Sequence, residues 1–199
     1  MKNVYPFLIA LLISYLGFSQ TTVSYNFSDP GASIADKLDS TISFTTAQNL
    51  GTDVPSIAGG QLQLDEDSVK GGSIIITPSN GATITSVIIN ASVKTNNAAY
   101  TADNGTEVEI SFVGGTYTIN GITASTEVEF YQKQNGNNKE IFVDSFDVTY
   151  LLPPVTYTYN GTWSPSDPNA TAASNDAIII TSGDAVISAD TSINTVTVS

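Results

Sequence analysis

The sequence predicts an all-β protein, an antiparallel β-sandwich followed by a short C-terminal β region. Three observations predict it. Short runs alternate apolar and polar residues with the period of a half-buried strand, as in Val128-Glu129-Phe130. Turn signals punctuate these runs at Gly114-Gly115, Asn120-Gly121 and Asn135-Gly136. Apolar residues at helical spacing are scarce: only Ala32 to Leu38, where Ile34 and Leu38 share a face, offers a helical turn. Many short strands with frequent turns are the signature of a sandwich.

Taken in order, the chain opens on Met1-Lys2-Asn3, a short positive region, followed by a nearly unbroken apolar run from Val4 to Leu16. Small residues Gly17 and Ser19 then precede a cut at Ser19–Gln20. This is the layout of a secretory leader, too short for a comfortable membrane span, with a retained anchor as the competing reading. Strand-like runs follow at Val23 to Phe27, Thr41 to Thr45 and Gln61 to Leu64. The run Ser73 to Thr77 is continuous and reads as buried on both faces. In Thr85 to Lys94, Val87, Ile89, Ala91 and Val93 share one face. In Thr106 to Phe112 and Thr126 to Tyr131, Glu107, Glu109, Glu127, Glu129 and Tyr131 face outward, and the outward carboxylates read as solvated sheet faces that discourage edge-to-edge pairing.

Glu140 to Leu151 poses a specific question. Unbroken alternation would aim Asp144 inward with Phe142 and Phe146, a costly burial unless the carboxylate is paired or holds a metal. A β-bulge near Asp144-Ser145 would instead turn Val143 inward and leave Asp144 in solvent. The bulge is the favoured reading, and the inward alternative makes Asp144 a cation ligand.

Pro153-Pro154 cannot continue a central strand and marks a stiff linker. The domain reading is therefore a leader at 1–19, a sandwich at 20–152, a linker at 153–156 and a second β region at 157–199. Its runs Ala177 to Thr181, Ala185 to Ser188 and Ile193 to Val198 are short and closely spaced, which suits the coils of an incomplete β-solenoid. On that reading the chain is the front part of a longer one. The alternative is a whole protein whose last strands pair back onto the sandwich.

Composition excludes several functions. The chain of 199 residues carries six basic residues against nineteen acidic ones, a formal charge of −13. All six basic residues are lysines, so neither the cationic surface that holds a phosphate backbone nor the bidentate Arg that reads guanine is present. With no His and no Cys, histidine acid–base catalysis, the Ser-His-Asp triad and the usual zinc ligand sets are ruled out, as are disulfides. Two-carboxylate glycoside hydrolysis needs only Asp and Glu, and stays open on composition.

Two constellations carry candidate binding chemistry. Asp65-Glu66-Asp67 is an acidic cluster in a loop; with Asp144 it is the candidate calcium site, against a plain solvated turn. Tyr131, Tyr157, Tyr159 and Trp163 are candidate platforms for stacking sugar rings, although Trp163 is equally natural as a core residue near the linker.

Through the stretches GGSIIITPSNGATITSVIIN, GGTYTINGI, STEVEFYQ and IFVDSFDVTY, the segment from about Tyr25 to Tyr150 resembles the jelly-roll sandwich modules of secreted Bacteroidetes (flavobacterial) proteins. The leader ending GFSQ is similar to leaders of that phylum, and the segment after the prolines resembles the beginning of β-solenoid-like regions in its large surface proteins. The resemblance implies export by the type IX system, which uses a C-terminal sorting domain that is not visible here. It carries no catalytic motif. The resulting expectation is a secreted, non-catalytic cell-surface interaction or adhesion module. The competing expectation is a carbohydrate-binding module of a larger enzyme, with or without bound calcium; the third is a small glycosidase.

Overall fold

A computed structural model of the chain describes residues 20–93, 97–134, 139–172, 176–187 and 193–198. The leader reading falls outside these, apart from Gln20, as does the turn signal Asn135-Gly136. The described chain is all-β apart from one short helix. It falls into two compact units, Gln20–Pro153 and a second that includes Pro154–Ser199. Among the described residues, no helix is long and apolar enough to cross a membrane.

The first unit is an antiparallel β-sandwich. Its strands are β1 (Gln20–Asn26), β2 (Asp36–Lys37), β3 (Ile42–Ala47), β4 (Ser56–Ala58), β5 (Gln61–Leu64), β6 (Ser73–Pro78), β7 (Thr83–Val93), β8 (Asn97–Ala102), β9 (Val108–Ser111), β10 (Thr116–Ala124), β11 (Val128–Gln132) and β12 (Ile141–Leu151). The first sheet runs β10-β7-β12-β5-β4, with β1 also paired to β12; the second runs β2-β3-β6-β11-β8-β9. β12 pairs with β7 along its length, while its other edge is divided between β5 and β1.

Alternation along these strands builds one core between the sheets. β7 supplies Ile84, Val87 and Ile89, β6 supplies Ile74 and Ile76, and β11 supplies Val128 and Phe130, all fully buried. Tyr25, Phe27, Phe44 and Phe146 form an aromatic cluster, with Phe44 and Phe146 edge to face at 5.2 Å between centroids. Such pairs add to the area they bury because ring edges and faces carry opposite partial charge.

The bulge expected in β12 is present. The register with β7 shifts between Val143 and Ser145, so Val143 and Phe146 both point inward despite their odd spacing. Asp144 lies on the outer side and accepts a hydrogen bond from Gln61 Nε2 at 2.6 Å. The inward alternative is thereby corrected.

Three other expectations are also corrected. No helical turn forms over Ala32 to Leu38, where Asp36 and Lys37 instead pair with β3. Asn120-Gly121 is not a turn between strands: it lies inside β10, at a register shift against β7, with Gly121 at φ +70°. Glu129, read as solvated, is 7 % exposed.

The second unit contains β13 (Thr156–Asn160), β14 (Trp163–Ser164), α1 (Pro168–Thr171), β15 (Ala177–Ser182) and β16 (Thr195–Val198). β13, β15 and β16 run parallel, in the order β14-β13-β15-β16. Tyr157, Ile178 and Val196 stand side by side across the ladder. Among the described residues, Ala185 to Ile187 form no strand, contrary to expectation. The Asp176 carboxylate accepts from Val155 N–H at 2.7 Å, and its backbone carbonyl accepts from Asn194 N–H at 2.8 Å, tying the starts of β13 and β16 to one buried residue at the start of β15.

Candidate functional site

The outer face of the second sheet concentrates the polar chemistry of the sandwich. Pairing aligns Ala47, Ser73, Tyr131, Ala99 and Glu109 in one outward row across β3, β6, β11, β8 and β9. The neighbouring row carries Thr45, Ile75, Glu129 and Thr101. Small residues on either side of Tyr131 leave room for its ring to lie over the sheet.

That ring is not open. Tyr131 is 2 % exposed. Lys70 Nζ sits 5.1 Å from the ring centroid and pairs with Glu129 Oε2 at 2.6 Å. The Tyr131 hydroxyl donates to Glu107, which also binds Lys133. Lys133 Nζ reaches Glu109 as well, at 2.9 Å. Burial, then the hydrogen bond to Glu107 and the surrounding carboxylates, push the Tyr131 hydroxyl well above its ordinary value. Hydrogen bonds from Lys133 and Tyr131 hold the Glu107 carboxyl below the usual range, and the two glutamates raise Lys133 in return. The expected stacking role for Tyr131 is therefore corrected, since a sugar cannot reach a face already covered by Lys70.

Beside this network, Asn97, Ala98, Glu109, Ile110, Ser111 and Lys133 line a cleft of about 300 Å³. Asn97 and Ser111 face each other across β8 and β9. The cleft thus offers an amide, a hydroxyl, a carboxylate and an ammonium group oriented by two carboxylates.

The other stacking candidates divide. Tyr157 is 3 % exposed and belongs to the interior of the second unit, so it offers no platform. Tyr159 and Trp163 oppose each other across the β13–β14 hairpin, half-buried, with centroids 4.9 Å apart and planes tilted by 56°. Gly183 lies against the Tyr159 ring: a Cβ there would come within 3.3 Å of Cε1.

The calcium candidates are not brought together. The Asp65 carboxylate accepts from Asp53 N–H at 2.7 Å, Glu66 from Lys139 N–H at 3.1 Å, and Asp67 from Val69 and Lys70 N–H at 2.7 and 3.0 Å. Each carboxylate thus fastens a different stretch of loop. Asp144 is engaged with Gln61. Among the described residues, no group of three metal-ligating side chains converges. These loops close tightly around Gly71, where an added Cβ would lie 2.3 Å from the Asp65 carbonyl and 2.7 Å from Gln132 Oε1.

Sequence reasoning missed Lys70, Asn97, Ser111 and Lys133. The available signal was the scarcity of cations: four outward glutamates and few lysines make any lysine next to an outward strand position a candidate organiser of the face.

No family model matches the chain, and no curated protein matches it. Solved structures with similar strand arrangements include a family 29 carbohydrate-binding module, at 14% identity and TM-score 0.41, over 66% of this chain and 92% of that one. A family 32 carbohydrate-binding module from C. perfringens, in complex with galactose, is 14% identical with TM-score 0.37, over 65% of this chain and 99% of that one. A family two carbohydrate esterase from Cellvibrio japonicus is 14% identical with TM-score 0.37; the match covers 71% of this chain and 40% of the esterase.

Proposed function

We propose that this chain is a non-catalytic recognition module of an exported protein, and that its ligand is a polysaccharide held at the outer face of the second sheet. The observation that carries this reading is the cleft beside β8 and β9, where Asn97, Glu109, Ser111 and Lys133 line one opening. A polyol presents hydroxyls that both donate and accept, and each of these groups complements one of those capacities. Lys133 is fixed between Glu107 and Glu109 before any ligand arrives, so less side-chain freedom is lost on binding. The Tyr159–Trp163 pair supplies a second surface, suited to stacking on a sugar ring. Export rests on the leader-like Met1 to Ser19. The parallel ladder of β13, β15 and β16 supports the reading of the second unit as solenoid-like.

Titration calorimetry against a panel of soluble neutral polysaccharides tests the proposal. At least one is expected to bind, and Lys133→Ala and Glu109→Gln are expected to weaken it about tenfold, or ~1.4 kcal/mol, with the fold intact. Tyr131→Phe, which leaves the covered ring in place, should change affinity far less. Absence of binding across the panel would overturn the reading and leave adhesion through protein contacts.

A further inference from the structure

Three groups with complementary chemistry meet on the second sheet outside the proposed cleft. Asn49 follows β3, Lys70 precedes β6, and Glu129 lies on β11. Lys70 Nζ is 2.6 Å from Glu129 Oε2, and Asn49 Nδ2 is 3.4 Å from Glu129 Oε1. One carboxylate therefore spans an amine and a primary amide, with a separate oxygen turned to each. The Glu129 side chain is 9 % exposed and that of Lys70 35 %.

The chain segments around them are held side by side. Leu50 N–H donates to the Lys70 carbonyl at 3.0 Å, and Asn49 Nδ2 donates to the Gly71 carbonyl and Ser73 Oγ, each at 2.9 Å. These bonds fix the amide plane and position beside the lysine stem. The Tyr131 ring, 5.1 Å from Nζ, shields the pair from below. Such confinement replaces a bimolecular encounter with a very high effective concentration, the condition under which an otherwise inert amide is attacked.

We propose that Lys70 and Asn49 become joined by a side-chain amide bond, in a self-catalysed reaction in which Glu129 carries the protons. Proton transfer from the Lys70 ammonium to Glu129 Oε2 exposes the lone pair of Nζ. Nζ attacks Asn49 Cγ, and the new Nζ–Cγ bond forms as the Cγ–Nδ2 bond breaks. Glu129 passes to Nδ2 both protons that Nζ sheds, one after the other, and ends as the carboxylate it began as. The leaving group departs as ammonium, through the solvent-exposed side of Lys70. No oxidant, metal or second substrate is consumed. The bond would give a chain without a single cysteine a covalent staple between the segments that lead out of β3 and into β6.

Mass spectrometry of the purified full chain tests this. The expected product is lighter than its sequence by one ammonia. Trypsin should fail to cut after the acylated Lys70, so that the denatured protein yields one species from Leu38 to Lys94 carrying the deficit. Glu129→Gln should restore the full mass and cleavage after Lys70. Asn49→Asp, which keeps a carboxyl carbon at the same place, should lose one water instead of one ammonia; this keeps the test decisive if Glu129→Gln folds poorly. Full mass with normal cleavage after Lys70 would overturn the proposal. So would an ammonia deficit mapping only to cyclised Gln20.

Discussion

The two units use the same local signal and arrive at different kinds of interior. In Gln20–Pro153, two antiparallel sheets face each other and their apolar rows meet in one closed core. In Pro154–Ser199, three short parallel strands line up a single apolar row that is sealed at Tyr157 and Ile178, 3 % and 0 % exposed, and open at Val196, 51 % exposed. Length accounts for part of the difference: β7 and β12 each have 11 residues, whereas β13 has 5 and β16 has 4. The rest is layering. A strand's apolar face becomes a core only when a second layer covers it, and alternation in sequence does not reveal whether that layer exists.

The largest effect that would break the comparison is loss of a sandwich aromatic. Phe146→Ala removes the ring shared by Tyr25, Phe27 and Phe44 and should cost about 3–5 kcal/mol, read as a fall in the urea midpoint of a single cooperative transition. If the loss were below about 1 kcal/mol, the sandwich interior would be no tighter than the ladder's. Ile178→Ala sharpens the contrast from the other side. It should increase protease cutting after Pro154 while leaving the main transition within a degree or so, because the ladder has its own small interior.

A smaller effect concerns acid. Desolvation pushes the Asp103 carboxyl up, but the N–H groups of Ser125, Thr126 and Glu127, together with the Thr126 hydroxyl, outweigh it and hold the group far below the usual carboxylate range. A depressed folded value means that its contribution is fully present above the unfolded value of about 3.9 and is lost as pH falls below it. Thermal melts of residues 20–153 should therefore decline from about pH 4 downward, and Asp103→Asn should lower stability at neutral pH and flatten that decline. The smallest expected effect is from chelation: with Asp65, Glu66, Asp67 and Asp144 each spent on a protein donor, EDTA should leave the melting temperature unchanged. A clear drop would restore a cation to the loops.

Much of the sandwich was legible in its sequence. The parity break between Val143 and Phe146 pointed to the bulge, because burying Asp144 was the costlier choice. β5 was read with its observed ends. β8 escaped notice because Asn-Ala-Ala-Tyr-Thr-Ala hardly alternates; its small outward residues matter for what they leave room for. β10 was not legible as a strand, because Asn120-Gly121 reads as a turn and Asn-Gly serves a bulge as readily as a turn. The site was less legible. Outward orientation of Glu129 and Tyr131 followed from alternation, but their burial depends on Lys70, which reaches them from a loop 59 residues earlier than Glu129. No periodicity encodes a lid supplied by another segment.

The pairing of β1 with β12 sets Gln20 opposite Leu151, so the first and last strands of the sandwich end at the same edge. Tension applied between those two points, with a handle attached at each, loads the ladder from its end rather than along its strands. Hydrogen bonds then open one pair at a time, Thr21 from Tyr150, then Thr22 from Thr149, instead of resisting together. Peeling proceeds toward Tyr25 and Phe27, whose withdrawal would open the aromatic cluster. The sandwich would thus behave as a zip that yields at low force. A staple between Asn49 and Lys70, on the other sheet, would lie outside the path of that load and leave the remaining strands anchored while β1 came away.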